Sequence, residues 1–361
     1  LYHYNPITKE LTTAASQHSA AALLLICSAS TQPPLLEAAV VSAVPFFNLR
    51  WRTASFLHWN FAMKKNLLAV AAIAALATSS AFAQGVDTLA KIKSAGVINF
   101  GVRESSGLGY TLGAGKFVGF HTEMGERIIE DLKKQLGTPA LKTVYQPVTS
   151  QNRIPLMLNG TVDLECGSTT NTRARQKDVD FAITTYVEEV RIAVRADSGI
   201  KSIKDLNGKT VATTTGTTSV QALRKHERAN GIDFKEVMGK DHAESFLLLE
   251  TGKADAFVMD NASLASNISR SKNPKNFKIV GESLSADPIA CMLPKGDAKF
   301  KAAVDNSIKR QIKDGSLAKL YNKWFMQPTP PNNVVVGLPL TEKTKEAWTN
   351  PNNKPAEDYK L

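Results

Sequence analysis

The sequence predicts an α/β protein of two lobes joined by two extended crossover strands. Two observations predict it. From Gly96 onward, short β-rich runs alternate with amphipathic helical stretches, a grammar that builds sheets with helices packed on their faces. Two further β-rich runs, Tyr186–Arg195 and Pro288–Leu293, sit symmetrically around a central segment, so the chain passes twice between its halves. Such lobes hinge around a cleft, a natural place for a small ligand. The expected division is 84–187 plus 288–326 for lobe 1 and 193–282 for lobe 2, followed by a C-terminal tail, 327–361.

The elements follow in order. "GVINFGV" (Gly96 to Val102) reads as a strand. "FHTEMGERIIEDLKKQLG" places Met124, Ile128, Ile129, Leu132 and Leu136 on one helical face, with Gly137 as the stop. "LKTVYQPV" is a strand, Ser150 an expected N-cap for the helix holding Ile154, Leu156 and Leu158, and "VDLECGS" the next strand. Beyond the first crossover come a short helix near "SIKDLNG", a strand at "KTVATT" and a helix from Thr217 to Arg228. A helix around "AESFLLLETG", a strand "ADAFVMD", a helix from Asn261 and a strand "FKIVG" complete lobe 2. The last helices run from about Asp297 to Phe325. The alternation implies parallel sheets, and the proline- and asparagine-rich stretch after Phe325 reads as irregular.

The chain has 361 residues, 43% hydrophobic and 21% charged, an ordinary globular composition with room for roughly two domains. Its formal charge of +11 is spread through the chain, and no block of five or six like charges suggests a nucleic-acid tail. The first 62 residues contain no methionine. Met63 opens "MKKNLLAVAAIAALATSSAFAQG", with Lys64 and Lys65 as a positive start, an apolar core Leu67–Ala77 and an A-x-A signal at Ala81–Ala83. Residues 63–83 are therefore an expected signal peptide cleaved after Ala83, and residues 1–62 are expected to be non-native upstream translation. The core is too short to span a bilayer, which takes about 20 apolar residues. Five of the 44 basic and two of the 33 acidic residues precede Gln84, which takes the formal charge from +11 to +8. Only Cys166 and Cys291 remain in the mature part, an even number that fits one disulfide in an oxidising compartment. No cysteine follows the apolar core to carry a lipid anchor, so the expectation is a soluble periplasmic protein.

Enzyme motifs fail one by one. "NGKT" (Asn207 to Thr210) resembles the end of a phosphate loop, but Ile203 stands where that loop needs glycine. No G-x-S-x-G, H-E-x-x-H or C-x-x-C occurs, and His121, His226 and His242 show no metal spacing, so neither metal nor cofactor is expected. A Cys166–His nucleophilic pair is the competing reading of an oxidised cysteine. What remains are anion-gripping groups at strand-to-helix junctions. "GVRES" and "TSQNR" bring Arg103, Ser150 and Arg153, and "TTTGTTS" brings Thr215 and Thr217 to a helix start whose unpaired N–H groups suit a carboxylate. "ECGSTTNTRARQK" adds Ser168, Thr170, Arg173 and Arg175.

Together with "KDHAESF", "FVMD", "CMLPKGD" and "NKWF", these motifs resemble the periplasmic glutamate/aspartate-binding proteins of ABC transporters, a polar-amino-acid family with the type II periplasmic binding protein fold. The resemblance covers essentially all of residues 87–350. It implies that Arg175, helped by Thr217, takes a ligand α-carboxylate in a forked pair, which a planar guanidinium suits and lysine does not. Asp260, with Ser168, would hold the α-ammonium, and the distal carboxylate would face Arg103, Ser150, Arg153 and His242. Arg173 has no implied role and is expected to be solvated. "GLGYT" after Ser106 departs from the family's aromatic wall, for which Tyr110 is a substitute, and Asn261 follows Asp260 where relatives often carry a second acid. The implied function is capture of L-glutamate or L-aspartate by a monomer that delivers it to an inner-membrane ABC permease. The alternatives are a dehydratase-like enzyme, with His242 as the obvious acid or base, and a sensor module on the same fold.

Overall fold

The computed structural model describes residues 86–360, so the upstream segment, the signal peptide and the cleavage after Ala83 lie outside the described residues. Helix α1 (Thr88–Ala95) precedes strand β1 (Val97–Val102). A small hairpin, β2 (Tyr110–Thr111) and β3 (Phe117–Val118), leads to helix α2 (Phe120–Leu136), which ends at Gly137 in the left-handed conformation as expected. Then come β4 (Lys142–Pro147), the short helix α3 (Arg153–Leu158), β5 (Leu164–Glu165) and β6 (Val179–Phe181).

Strand β7 (Tyr186–Arg195) is the first crossover. Lobe 2 follows with β8 (Thr210–Thr214), α4 (Thr218–Asn230), β9 (Lys235–Gly239), α5 (His242–Glu250), β10 (Ala256–Asp260), α6 (Asn261–Arg270) and β11 (Phe277–Val280). The chain returns through β12 (Ala286–Ile289) to β13 (Met292–Pro294) and helices α7 (Ala298–Lys313) and α8 (Ser316–Tyr321). Lobe 1 orders its strands β4-β1-β5-β13-β6, and lobe 2 orders β11-β7-β10-β8-β9.

The sheets are mixed rather than parallel. β4, β1 and β5 run parallel, as do β9, β8 and β10, but β13 is antiparallel to β5 and β6, and β7 is antiparallel to β10, β11 and β12. The reason is the double crossing. A chain that enters lobe 2 on β7 and leaves on β12 must run in opposite directions along the hinge, and β12 pairs there with Tyr186–Glu189.

Lobe 1 is closed by aromatic packing: Tyr321 and Phe325 lie 4.5 Å apart, and Phe325 stacks parallel on Tyr186 at 6.1 Å. The disulfide Cys166–Cys291 ties the end of β5 to the segment between β12 and β13.

The C-terminal tail is not irregular. A helix α9 (Glu342–Thr349), capped by Thr341, buries Thr344, Ala347 and Trp348 on one face. Trp348 Nε1 donates to the Thr185 carbonyl (2.8 Å), and Thr344 Oγ1 accepts from the Val187 amide (3.0 Å), so the tail packs along the first crossover.

Candidate functional site

Six parallel strands end at one place, and each delivers polar side chains there. In lobe 1, β1 ends before Arg103, β4 before Ser150 and Arg153, and β5 before Ser168 and Thr170. In lobe 2, β8 ends before Thr215 and Thr217, β9 before His242, and β10 at Asp260. Parallel strands with helices on their faces put their carboxyl ends and the helix N-termini on one edge, where ligands bind. With the lobes facing each other, these edges meet: Asn267 Nδ2 donates to the Ser105 carbonyl (3.3 Å) and the Gly107 amide to Ser263 Oγ (3.1 Å) across the cleft.

The site has two ends. At the first, Arg103 is 1% exposed and Arg153 2%. Arg103 donates from Nη1 to Ser168 Oγ (3.2 Å) and from Nη2 to Ser150 Oγ (3.1 Å) and His242 Nε2 (3.1 Å). Arg153 Nη1 donates to the Ser168 carbonyl (3.0 Å). Among the described residues neither guanidinium has a carboxylate within ion-pair distance, and the Nε of each is buried without a partner. Burial, then the neighbouring Arg153, pulls the Arg103 pKa down to about 10, and burial lowers that of Arg153. Gly167 makes the approach possible, since a Cβ there would lie 2.2 Å from Glu165 Oε1 and 2.7 Å from Arg103 Cγ.

The second end mixes signs. Arg175, partly exposed, donates from Nη1 to the Thr170 carbonyl (2.8 Å) and from Nη2 to the Gly216 carbonyl (3.2 Å), so it bridges the lobes. Gly216 has φ +80°, and a Cβ on it would sit 2.8 Å from Gln151 Cα of lobe 1. Burial, then Arg153, lowers the Arg175 pKa to about 9. Asp260 accepts from Ser219 Oγ (3.2 Å). Asp287, buried on β12, accepts from Thr218 Oγ1 (2.6 Å) and Thr170 Oγ1 (3.3 Å). Its partner in the hinge register is Glu188, whose carboxylate accepts from the Ala262 amide (2.7 Å) at the start of α6. Burial and the neighbouring Asp287 raise the Asp260 pKa to about 7, and burial with Asp260 raises that of Glu188 well above the ordinary value.

Several placements differ from expectation. Ser150 does not cap α3. Thr149 and Asn152 exchange hydrogen bonds around that turn, which leaves the Ser150 hydroxyl to Arg103. Ser168 stands with the arginines rather than beside Asp260. Thr217 N-caps α4, but its hydroxyl donates to the Thr214 carbonyl (2.8 Å), and Thr218 reaches the acids instead. Thr215 is half-buried in the turn, its amide on the Gly239 carbonyl (3.1 Å).

Tyr110 gives no free wall. Its hydroxyl donates to the Pro330 carbonyl (2.5 Å), Arg270 covers its ring at 4.3 Å, and Trp324 meets it edge-on. Arg173 is not merely solvated, because it pairs with Asp358 of the tail.

Three buried acids around the site had no expected role: Glu165 beneath the arginines, Glu188 and Asp287. A signal existed for one of them. In a strand such as "YVEEVRI", consecutive side chains face opposite ways, so one of two adjacent glutamates must point inward. Asp287 sits opposite that glutamate in the hinge pair.

A model of the bacterial extracellular solute-binding proteins, family 3, matches residues 98–327. The chain belongs to that family. It is 40% identical over 295 residues to the L-glutamate/L-aspartate-binding protein of Pseudomonas aeruginosa, covering 81% of this chain and 98% of that one. It is likewise 40% identical over 291 residues to the glutamate/aspartate import solute-binding protein of Escherichia coli K12, covering 78% and 96%. Among solved structures, an ancestral arginine-binding protein bound to arginine matches with a TM-score of 0.57 and 30% identity, over 64% of this chain and 98% of that one. The fold of this family 3 solute-binding protein is therefore the two-lobed type II architecture, and its relatives are solute receptors, not enzymes. Among the described residues no helix is long and apolar enough to cross a membrane.

Proposed function

We propose that this protein captures L-glutamate or L-aspartate between its lobes and delivers it, as a periplasmic monomer, to an ABC permease of the inner membrane. The observation that carries the reading is the pair of buried guanidiniums, Arg103 and Arg153, with no protein carboxylate in contact. Two buried guanidiniums above the single buried acid Glu165 leave an excess of positive charge, which is costly in a buried place, so this end of the site calls for an anion. The mixed end offers Arg175 and the N-terminus of α4 for an α-carboxylate, and Asp260 and Asp287 for an α-ammonium. An α-amino acid with an acidic side chain satisfies both ends at once, and the import of glutamate and aspartate by the Escherichia coli relative supports the assignment.

Calorimetry on the exported protein tests it. Glutamate or aspartate is expected to bind at least about 3 kcal/mol more tightly than glutamine or asparagine, since an amide would leave guanidinium donors facing an N–H group. Equal affinity for glutamine and glutamate would overturn the assignment of the basic end.

A further inference from the structure

One feature of the basic end is the order of hydrogens in a buried chain that runs from it into lobe 2. Arg103 Nη2 meets His242 Nε2 at 3.1 Å, and His242 Nδ1 meets Thr214 Oγ1 at 3.1 Å. Thr214 Oγ1 lies 2.8 Å from Ser245 Oγ, and Ser245 Oγ lies 2.8 Å from the Thr213 carbonyl and 2.9 Å from that of Asp241. His242, Thr214 and Ser245 are all fully buried.

Both ends of the chain fix its direction. A guanidinium has only donors, so Nε2 must accept. Carbonyls only accept, so Ser245 donates to one of them, Thr214 donates to Ser245, and the Thr214 oxygen is left to accept from Nδ1. The imidazole is therefore neutral with its hydrogen on Nδ1. The other tautomer would require Thr214 to donate to Nδ1. Ser245 would then abandon both carbonyls, or two hydroxyl oxygens would face each other at 2.8 Å with no hydrogen between them.

We propose that Thr214 and Ser245 are specificity-determining positioning residues: by holding the hydrogen on His242 Nδ1, they let His242 donate to a ligand's distal carboxylate only by taking a proton from solvent at Nε2. The inference rests on the functional reading above. A dicarboxylic amino acid then enters with a proton, whereas an amide side chain can donate its own N–H to the bare Nε2. Selection of acid over amide is in this way tied to pH.

The groups that face His242 agree with this order. Burial opposes its protonation, and Arg103 and Arg153 from lobe 1 and Arg270 from α6 add to it, so its pKa lies well below the ordinary value while no ligand carboxylate is present. On its own helix, Asp241 is spent on the Glu244 amide (3.0 Å) and the Glu244 side chain on the Lys240 amide (2.8 Å). The ligand's distal carboxylate is the negative charge that reverses the balance.

Imidazole nitrogen NMR of histidine-labelled protein, assigned with His242→Gln, reads the tautomer directly. Free protein is expected to show Nε2 bare, and glutamate-saturated protein both nitrogens protonated. Calorimetry in buffers of different ionisation enthalpy then counts protons. Asp260, raised to about 7 by burial and Asp287, is expected to release a proton when an ammonium arrives, so the quantity read is the difference between wild type and Ser245→Ala or Thr214→Val, in which that release cancels. Wild type should take up more protons, up to about one per ligand.

Thr214→Ser should behave as wild type. The preference for glutamate over glutamine should fall about tenfold per pH unit above the bound histidine's pKa in wild type, and less steeply in Ser245→Ala. Glutamate binding that leaves Nε2 bare, or proton uptake unchanged in both relay variants, would overturn the relay and leave the functional reading intact. Failure of wild type to bind either dicarboxylate would remove both.

Discussion

The two ends of the cleft solve opposite electrostatic problems. The mixed end sets Arg175 among Asp260, Asp287 and Glu188, and its acids can relieve their own crowding by holding protons. The basic end has no such outlet, because guanidiniums stay charged even when burial pulls their pKa down to about 10. The mixed end can therefore wait for any amino acid, whereas the basic end is incomplete until an anion arrives.

The largest effect should come from the basic end. Arg153→Met or Arg103→Met is expected to weaken glutamate binding by about 3–5 kcal/mol, since the distal carboxylate would be desolvated with one donor group missing. The same substitutions should cost the ligand-free protein much less than they cost binding, because two buried guanidiniums face the one buried carboxyl group of Glu165 and removing either lowers the excess of positive charge. Thermal unfolding with and without glutamate checks both statements. A variant that loses stability while free but keeps its ligand-induced shift would show that these arginines are structural.

Asp260→Asn should come next, costing about 2–3 kcal/mol in affinity for the amino acid. It should cost little for 2-hydroxyglutarate, which has no ammonium. The pH dependence follows from the raised pKa. In wild type, affinity should fall as pH drops below about 7, where Asp260 takes a proton and loses the charge proposed to hold the ammonium. Stability of the free protein moves the other way. The folded state binds this proton more tightly than the unfolded chain, so the contribution of Asp260 rises as pH falls from about 7 towards the ordinary value of 3.8. The difference in unfolding free energy between wild type and Asp260→Asn, measured across that range, isolates the term. A flat difference would place the proton elsewhere in the cluster.

How legible this contrast was in the sequence depended on where each residue stood. Arg103, Arg153 and Arg175 follow recognisable strand ends, and strand ends are set by local periodicity, so the basic groups were readable. The acids that define the mixed end lie on the crossovers, where Glu188 and Asp287 meet only because β12 returns antiparallel to β7 across about a hundred residues of lobe 2. That pairing is topology, and no local pattern encodes it. Hydroxyl direction was equally hidden. Thr217 and Thr218 are neighbours of the same type, and only the turn at Gly216 decides which one reaches an acid. The tail misled through composition, because its prolines and asparagines flank a capped helix whose Trp348 anchors on the crossover.

The smallest effect tests whether the mixed end is generic. Thr218 Oγ1 donates to Asp287 (2.6 Å) and lies 3.1 Å from Thr170 Oγ1, so one hydroxyl of lobe 2 touches both the returning crossover and lobe 1. The contact with Thr170 spans the two lobes. Thr218→Val keeps the shape and deletes the hydroxyl, leaving a buried carboxylate one donor short and costing the closed state about 1 kcal/mol. Because the donor serves closure and not the ligand's side chain, glutamate, aspartate and any weaker amino acid should lose affinity by the same factor, about fivefold, with Thr218→Ser restoring it. Calorimetry against the series reads the ratios. A Thr218→Val variant that changes the preference between acidic and neutral amino acids would mean that the head end also reads the side chain, and the division of labour between the two ends would fail.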